Sequence, residues 1–203
     1  LFDMRREDCV RVYDFDKTIF KHESYSRFYL YCLVRRPYII FLLPCQLIVL
    51  ALLFLRIIPR GKGKELFSVY LRFTGNNERL AGKFWEKNAG GIKKWYLGQK
   101  RSDDVIISAS PEFFLRPITD KLNVSLIGTR MDSRTGKING ENCYGKEKPR
   151  RFREIYGETV IECFYSDSYS DLPMAKIARE AVMVKGDDLR PFFGNEKPER
   201  KKK

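Results

Sequence analysis

The sequence predicts a doubly wound α/β protein, a mostly parallel sheet with a helical segment inserted after its first strand. Short apolar runs at residues 10–16, 105–108, 125–128, 160–165 and 181–184 read as strands. The stretches between the later runs, 111–122, 148–156 and 171–180, carry helical patterning, and strands alternating with helices build a parallel sheet. Between the first two strands, residues 18–100 are helical in texture and form an insertion. The 203 residues suit one compact domain or a core with a modest insertion, and 43% hydrophobic with 14% aromatic content supplies a core and excludes disorder of the whole chain.

Along the chain, V-R-V-Y-D-F-D at 10–16 is a strand ending in two carboxylates, and 24–35 is helical. Residues 38–58, Y-I-I-F-L-L-P-C-Q-L-I-V-L-A-L-L-F-L-R-I-I, are the most apolar part, with Arg35, Arg36 and Pro37 before them and P-R-G-K-G-K after. A run of roughly 18 apolar residues is long enough for a membrane helix, but Pro44 and Gln46 interrupt this one. Three placements compete: a membrane-associated segment, a buried helical hairpin, and a full crossing. A single crossing would put the flanking parts of one site on opposite sides, so a helix or hairpin dipping into one leaflet is expected.

Residues 65–99 place Leu66, Val69, Tyr70, Phe73, Leu80, Phe84 and Trp85 at helical spacing. V-I-I-S at 105–108 is continuously apolar, as in a strand buried on both faces. Residues 131–143, with the Asn139-Gly140 turn, read as a hairpin excursion.

Lys and Arg number 39 against 26 Asp and Glu, a formal charge of +13. This excess suits a polyanionic partner: nucleic acid, an anionic membrane surface or a phosphorylated substrate. The charge is spread along the chain and no nucleic-acid motif is visible, so nucleic acid is not expected. The cysteines (9, 32, 45, 143 and 163) are odd in number, form no C-x-x-C, and have only His22 as a histidine companion. That argues against a disulfide framework or a zinc site and for a reducing, cytosolic setting. Residues 1–8 are charged without an apolar signal-like run, and residues 191–203 read as a basic tail.

Four short sequences fall where a doubly wound sheet gathers its strand ends. Asp14-Phe15-Asp16-Lys17-Thr18 projects two carboxylates to one side of a strand while Phe15 faces the core. Asp is a known covalent acceptor of phosphoryl groups; a surface acid pair is the plain alternative. Ser108 ends the second strand, with Ser110 as helix N-cap and Pro111 at the first helical position, a helix start that offers backbone N–H groups to phosphate or is simply a cap. Lys148 opens a helix and can offset charge on a phosphoryl group, with Lys146 as a rival and a solvated lysine as the alternative. Y-S-D-S-Y-S-D at 165–171 supplies Asp167 and Asp171, carboxylates of the kind Mg²⁺ prefers, or else helix caps.

In this order the four sequences resemble the motifs of the haloacid-dehalogenase-like (HAD) hydrolases, across residues 10–18 and 105–184. The long insertion after D-x-D-x-T is similar to the cap of the phosphoserine-phosphatase-like subfamily IB. I-S-A-S-P-E-F at 107–113 and N-C-Y-G-K-E-K at 142–148 are similar to its bacterial phosphatidylglycerophosphatase C branch. The resemblance implies a Rossmann-like core over 9–19 and 100–190, with a helical cap over 20–99. It implies Asp14 as nucleophile, Asp16 as general acid and base, and Thr18, Glu23, Ser108, Ala109 and Lys148 around the phosphate and substrate. It implies Mg²⁺ held by Asp14, Asp16, Asp167 and Asp171. I-S-A-S departs from the S-G-G usual in phosphoserine phosphatases, and the apolar run is foreign to them.

The expected function is Mg²⁺-dependent hydrolysis of a phosphomonoester through an aspartyl-phosphate, on a membrane lipid phosphate at the inner face of the cell membrane. A soluble phosphoserine-like substrate is the alternative, and a non-catalytic basic binding module, which leaves the acidic motifs unexplained, is the third.

Overall fold

The structure, a computed structural model, describes residues 9–193; the expectations for residues 1–8 and for the tail from 194 onward lie outside the described residues. Six strands form one sheet: β1 (Cys9–Tyr13), β2 (Val105–Pro111), β3 (Ser125–Thr129), β4 (Val160–Ser166), β5 (Ala178–Lys185) and β6 (Asp188–Pro191). Their order is β3-β2-β1-β4-β5-β6, parallel throughout except for the antiparallel β5–β6 edge. The predicted doubly wound α/β fold is therefore present. Because β1 lies between β2 and β4, the chain winds outward in both directions from it, and the carboxyl ends of β1, β2 and β4 open on a common crevice.

Side chains alternate across this sheet with the two-residue period of a strand. Val12, Val105, Ile107 and Phe164 point to one face, against Phe152 of α8 (Glu147–Tyr156) and Met174 of α9 (Leu172–Ala175). Tyr13, Ile106 and Tyr165 point to the other, against α7 (Glu112–Leu122) and the insertion. Phe114, Leu115, Ile118 and Leu122 give α7 its buried stripe, and Asn123 closes it in the left-handed region at φ 52°.

The insertion contains α1 (Ser24–Arg35), a 3₁₀ turn at Pro37–Leu42, α2 (Leu43–Phe54), α3 (Arg60–Phe67), α4 (Leu71–Thr74), α5 (Asn77–Asn88) and α6 (Lys94–Gln99). It shares its core with the sheet. Phe28 of α1 lies 4.7 Å from Phe114, and Phe84 and Trp85 of α5 lie 5.4 and 5.3 Å from it, ring centre to ring centre. The Trp85 indole N–H also donates to the Phe114 carbonyl at 2.7 Å.

The apolar run behaves differently. Gln46, an apparent interruption, is buried: its Oε1 accepts from Tyr29 OH at 2.6 Å and its Nε2 donates to the Phe67 carbonyl at 3.1 Å, clamping α2 between α1 and α3. Ile39 and Val49 are buried as well, but most of the other apolar side chains face outward, with Phe41 83%, Ile48 61% and Phe54 87% exposed. The 18 residues Pro37–Phe54, mean hydropathy 2.4, are apolar and long enough to cross a membrane, and only 17% of them are buried. The segment is thus packed on α1 and α3 along one side and exposed over the rest of its surface.

Several expected elements differ. The helix expected over 171–180 is a 3₁₀ turn and one short helix, and the strand begins at Ala178 rather than 181. Ala, Arg and Glu favour helices in isolation, but pairing of Ala178 with Ile161 and Glu180 with Cys163 overrides that preference. Residues 131–143 form only a minimal hairpin, one antiparallel Met131–Ile138 bridge with Asp132 N–H donating to the Lys137 carbonyl at 2.8 Å and Asn139 N–H to the Arg130 carbonyl at 2.7 Å; its turn lies at 132–137, where Asp132 Oδ1 accepts from the N–H groups of Arg134 and Thr135, and not at Asn139-Gly140. Strand β2 continues through Ser110, and Pro111, not Ser110, occupies the N-cap of α7. The expected tail from 191 begins inside β6, which returns along β5 through Gly186 at φ 62°.

Phe114→Ala is expected to destabilise the protein by about 3–5 kcal/mol in urea unfolding, the range for emptying a buried aromatic site, whereas Phe41→Ala changes stability by less than about 0.5 kcal/mol.

Candidate active site

The acidic loop follows directly from β1. Asp14 N–H extends the sheet by donating to the Tyr165 carbonyl at 2.8 Å. The chain then turns sharply: Lys17 takes φ 58°, and the Phe15 carbonyl accepts from both Ile19 and Phe20 N–H. Phe15 drops into the core between Phe20 and Trp85, as its place between two acids predicts.

Asp14 is buried, with Oδ1 accepting from Lys148 Nζ at 2.6 Å and Oδ2 from Thr18 Oγ1 at 3.2 Å. Thr18 Oγ1 also accepts from Asp167 N–H at 3.0 Å, so this one hydroxyl joins the loops after β1 and β4. Asp16 is held by two hydrogen bonds, Ser24 N–H to Oδ1 and Ser110 Oγ to Oδ2, both at 2.7 Å. The first comes from the opening of α1 in the insertion and the second from β2, so Asp16 ties the insertion to the sheet.

Lys148 is buried in the first turn of α8 and spans two carboxylates, Asp14 at 2.6 Å and Asp171 Oδ2 at 2.7 Å. Ser166 Oγ adds a bond to Asp171 Oδ2 at 2.8 Å, while Asp171 Oδ1 is buried without a hydrogen-bond partner. Lys146, the rival, is exposed. Ser108 is buried at the β2 end and its Oγ accepts from Ser110 N–H at 3.1 Å. Ala109 is its neighbour, and its carbonyl accepts from Thr129 Oγ1 at 2.6 Å and from Lys64 of α3. Asp167 is half-buried, and its carbonyl accepts from Lys185 Nζ at 2.6 Å. Glu23 stands apart at the surface, paired with Lys17 at 2.6 Å.

The electrostatics follow from counting charges. One buried ammonium serves two carboxylates, leaving an excess of negative charge. Burial, with Asp171 adding repulsion, pushes Asp14 up to about 7 against the pull of Lys148. Burial opposes the Lys148 charge as well, but the Asp14 and Asp171 carboxylates hold its pKa above the usual lysine range. Asp16 is also raised by burial, opposed by its bonds from Ser24 and Ser110.

Asp14, Asp16, Thr18, Ser108, Ala109, Lys148, Asp167 and Asp171 therefore all lie at the carboxyl ends of β1, β2 and β4 or on the loops and helix just beyond. Among the described residues, no three His, Cys, Asp or Glu side chains are grouped closely enough to hold a metal by themselves. Ser110 and Ser166 contribute direct bonds to the acids that sequence reasoning did not assign, and Lys64 reaches the site from the insertion. Ser110 had a legible signal, a hydroxyl at a strand end, that was read as a cap; Lys64 had none, being one of many lysines in a long insertion.

The comparisons agree with this architecture. A protein of unknown function from Bordetella pertussis has a solved structure that superposes with a TM-score of 0.70 at 17% identity, covering 86% of this chain and 89% of that one. Protein CicA of Caulobacter vibrioides is 40% identical over 83 residues, which cover 37% of this chain and 37% of that protein. A probable phosphatase of Mycobacterium tuberculosis is 38% identical over 93 residues, covering 42% of this chain and 32% of that protein. The match thus spans only about a third of the length of each of these two relatives. The sequence model of haloacid dehalogenase-like hydrolases matches residues 12–176, from within β1 to the end of α9, and the chain belongs to that family.

Proposed function

We propose that the protein is a Mg²⁺-dependent phosphomonoester hydrolase that works through an aspartyl-phosphate on Asp14 and acts on a membrane lipid phosphate of the phosphatidylglycerophosphate kind. The observation that carries the chemistry is the buried Lys148 ammonium spanning Asp14 and Asp171 at the strand ends. The resemblance of one relative to phosphatases, by its description, points the same way.

Asp14 Oδ attacks phosphorus while the bond to the leaving oxygen breaks, and Asp16 gives that oxygen its proton. Asp16 then takes a proton from the water that attacks phosphorus, releasing inorganic phosphate and free Asp14. Lys148 holds the nucleophile and shields it from phosphate charge; Ser108 and the backbone at Ala109 receive the phosphoryl oxygens. Thr18 fixes the two loops against each other. Glu23, exposed beside Lys17, would contact substrate on leaving that pair.

The residues fit a hard divalent cation. They offer oxygen donors only, carry more negative than positive charge, and include the orphaned Asp171 Oδ1. Mg²⁺ commonly keeps several waters and takes one or two carboxylates, so a closed cluster of acids is not required. Asp14, the Asp16 carbonyl and Asp167 would hold it, with Asp171 supporting. When bound it neutralises charge on the phosphate oxygens.

The lipid reading rests on α2. β1 and β2 are neighbours in one sheet, so the apolar segment between them starts and ends on the same side of any bilayer. Its exposed Phe41, Ile48 and Phe54, flanked by Arg35, Arg36, Arg56 and Arg60, suit insertion into one leaflet of an anionic membrane. That would hold the site at the headgroup level of the inner face of the cell membrane.

Asp14→Asn is expected to lower release of phosphate from an aryl phosphate and from phosphatidylglycerophosphate vesicles by at least about a thousandfold; retained activity contradicts the mechanism. In flotation with anionic vesicles the intact chain is expected to rise with lipid, and the combined Phe41→Ser, Ile48→Ser and Phe54→Ser chain to remain below. Turnover of phosphoserine but of no lipid phosphate would replace the lipid substrate with a soluble one.

A further inference from the structure

Lys64 extends from α3 into the core side of the crevice. Its ammonium donates to the Ala109 carbonyl, next to Ser108, and to Asn142 Oδ1 at 3.4 Å, and lies 5.5 Å from the centre of the Tyr25 ring. Asn142 Oδ1 is itself fixed by Thr129 Oγ1 at 2.9 Å. All of these partners are neutral. Among the described residues, no carboxylate stands within ion-pair distance of this ammonium. Lys148 has two at 2.6 and 2.7 Å, and Lys17 has Glu23 at 2.6 Å. Burial accordingly pulls Lys64 down to about 8, with Asp16 the foremost charge resisting it. A half-buried cation held among dipoles alone is under-compensated, and an arriving anion would pair with it.

Its location says which anion. The transferred phosphoryl group is served by Lys148, whose ammonium is engaged with Asp14 and Asp171. Lys64 stands instead on the Asp16 side: the residue after its carbonyl partner Ala109 is Ser110, whose Oγ donates to Asp16 Oδ2 at 2.7 Å, where the leaving oxygen takes its proton. Asn142, which touches Lys64, also lines a cleft of about 470 Å³ together with Arg60, Lys62 and Tyr144 and the carboxylates Glu65 and Glu141. The Arg60 guanidinium lies 4.4 Å over the Tyr144 ring, and the Lys62 charge is taken up by Glu65 at 3.2 Å. The cleft reaches Pro59, just after the exposed Ile57 that follows α2. Helix α3 is seated on α2 through Gly63, where a Cβ would fall 2.4 Å from Leu53 Cδ2. The position of Lys64 is thus set by the apolar helix.

We propose that Lys64, with Asn142 beside it and Arg60 farther along the cleft, forms a subsite for a second anionic group carried by the leaving alcohol, and that Lys64 determines specificity for such substrates. The proposal rests on the phosphomonoesterase reading and deepens it. The leaving alcohol would carry a phosphate of its own and run from Asp16 past Lys64 toward the membrane-facing end of α2.

Glycerol 1,3-bisphosphate and glycerol 3-phosphate, both soluble, separate this subsite from membrane docking. Calorimetric binding of each to the full chain carrying Asp14→Asn, in Mg²⁺ buffer, is compared with Lys64 intact, with Lys64→Met, which keeps the aliphatic stem, and with Lys64→Arg, which keeps the charge. The bisphosphate is expected to bind at least about tenfold more tightly than the monophosphate, a ratio that falls to about one in Lys64→Met and is largely kept in Lys64→Arg. Equal affinity for the two ligands, a preference that survives Lys64→Met, or no binding of either overturns the subsite. Aryl phosphate turnover by the chain with Asp14 intact separates the two levels. Turnover without bisphosphate preference overturns the subsite alone; absence of turnover removes the phosphatase reading and the subsite with it.

Discussion

The buried Lys148 ammonium between Asp14 and Asp171 is the contact around which the crevice is organised. It joins the loop after β1, the first turn of α8 and the loop after β4, which are distant in sequence. A buried ion group of this kind is held by its mutual satisfaction: removing one partner leaves an uncompensated charge, at a cost of about 3–5 kcal/mol. The same arrangement leaves the carboxylates in excess, and that excess both raises Asp14 and suits the site to a divalent cation. Structural cohesion and chemical readiness therefore come from the same three side chains.

A second set of bonds relates the insertion to this group. Asp16 accepts from Ser24 at the start of α1 and from Ser110 at the end of β2, and Lys64 of α3 donates to the Ala109 carbonyl. The aromatic cluster around Phe114 holds α1 and α5 against the sheet. The insertion is consequently continuous with the core on its inner side and bare on its outer side, where α2 presents Phe41, Ile48 and Phe54 to solvent. Gln46 marks the division: it is the polar residue by which an almost wholly apolar helix is attached to Tyr29 and Phe67.

Much of this was legible in the chain. Strands buried on both faces declare themselves as continuous apolar runs, so V-I-I-S and the segments around Val12 and Phe164 were readable, and with them the parallel sheet. The gathering of Asp14, Asp16, Lys148, Asp167 and Asp171 at one crevice was readable because a doubly wound sheet brings its strand ends together. What escaped was decided by long-range pairing or by local competition. Ala178–Glu180 pairs with β4 against its helical preference, and Asp132, by accepting from the N–H groups of Arg134 and Thr135, sets the turn of the 131–143 excursion earlier than Asn139-Gly140. Ser110 escaped for another reason: a serine before a proline and a helix resembles a cap, and only the fold brings Asp16 within reach of its hydroxyl. Lys64 and Asn142 meet across the boundary between insertion and core, a proximity that no local pattern encodes.

The claim at the centre of this account is that Asp14, poised by Lys148, becomes phosphorylated during turnover. Acid quenching of the enzyme in the presence of Mg²⁺ and an aryl phosphate, followed by peptide mass spectrometry, tests it directly. The expected outcome is a phosphoryl group on the peptide containing Asp14, removed by hydroxylamine and lost in Asp14→Asn. Steady release of phosphate with the label on another residue, or with Asp14→Asn still active, would contradict it.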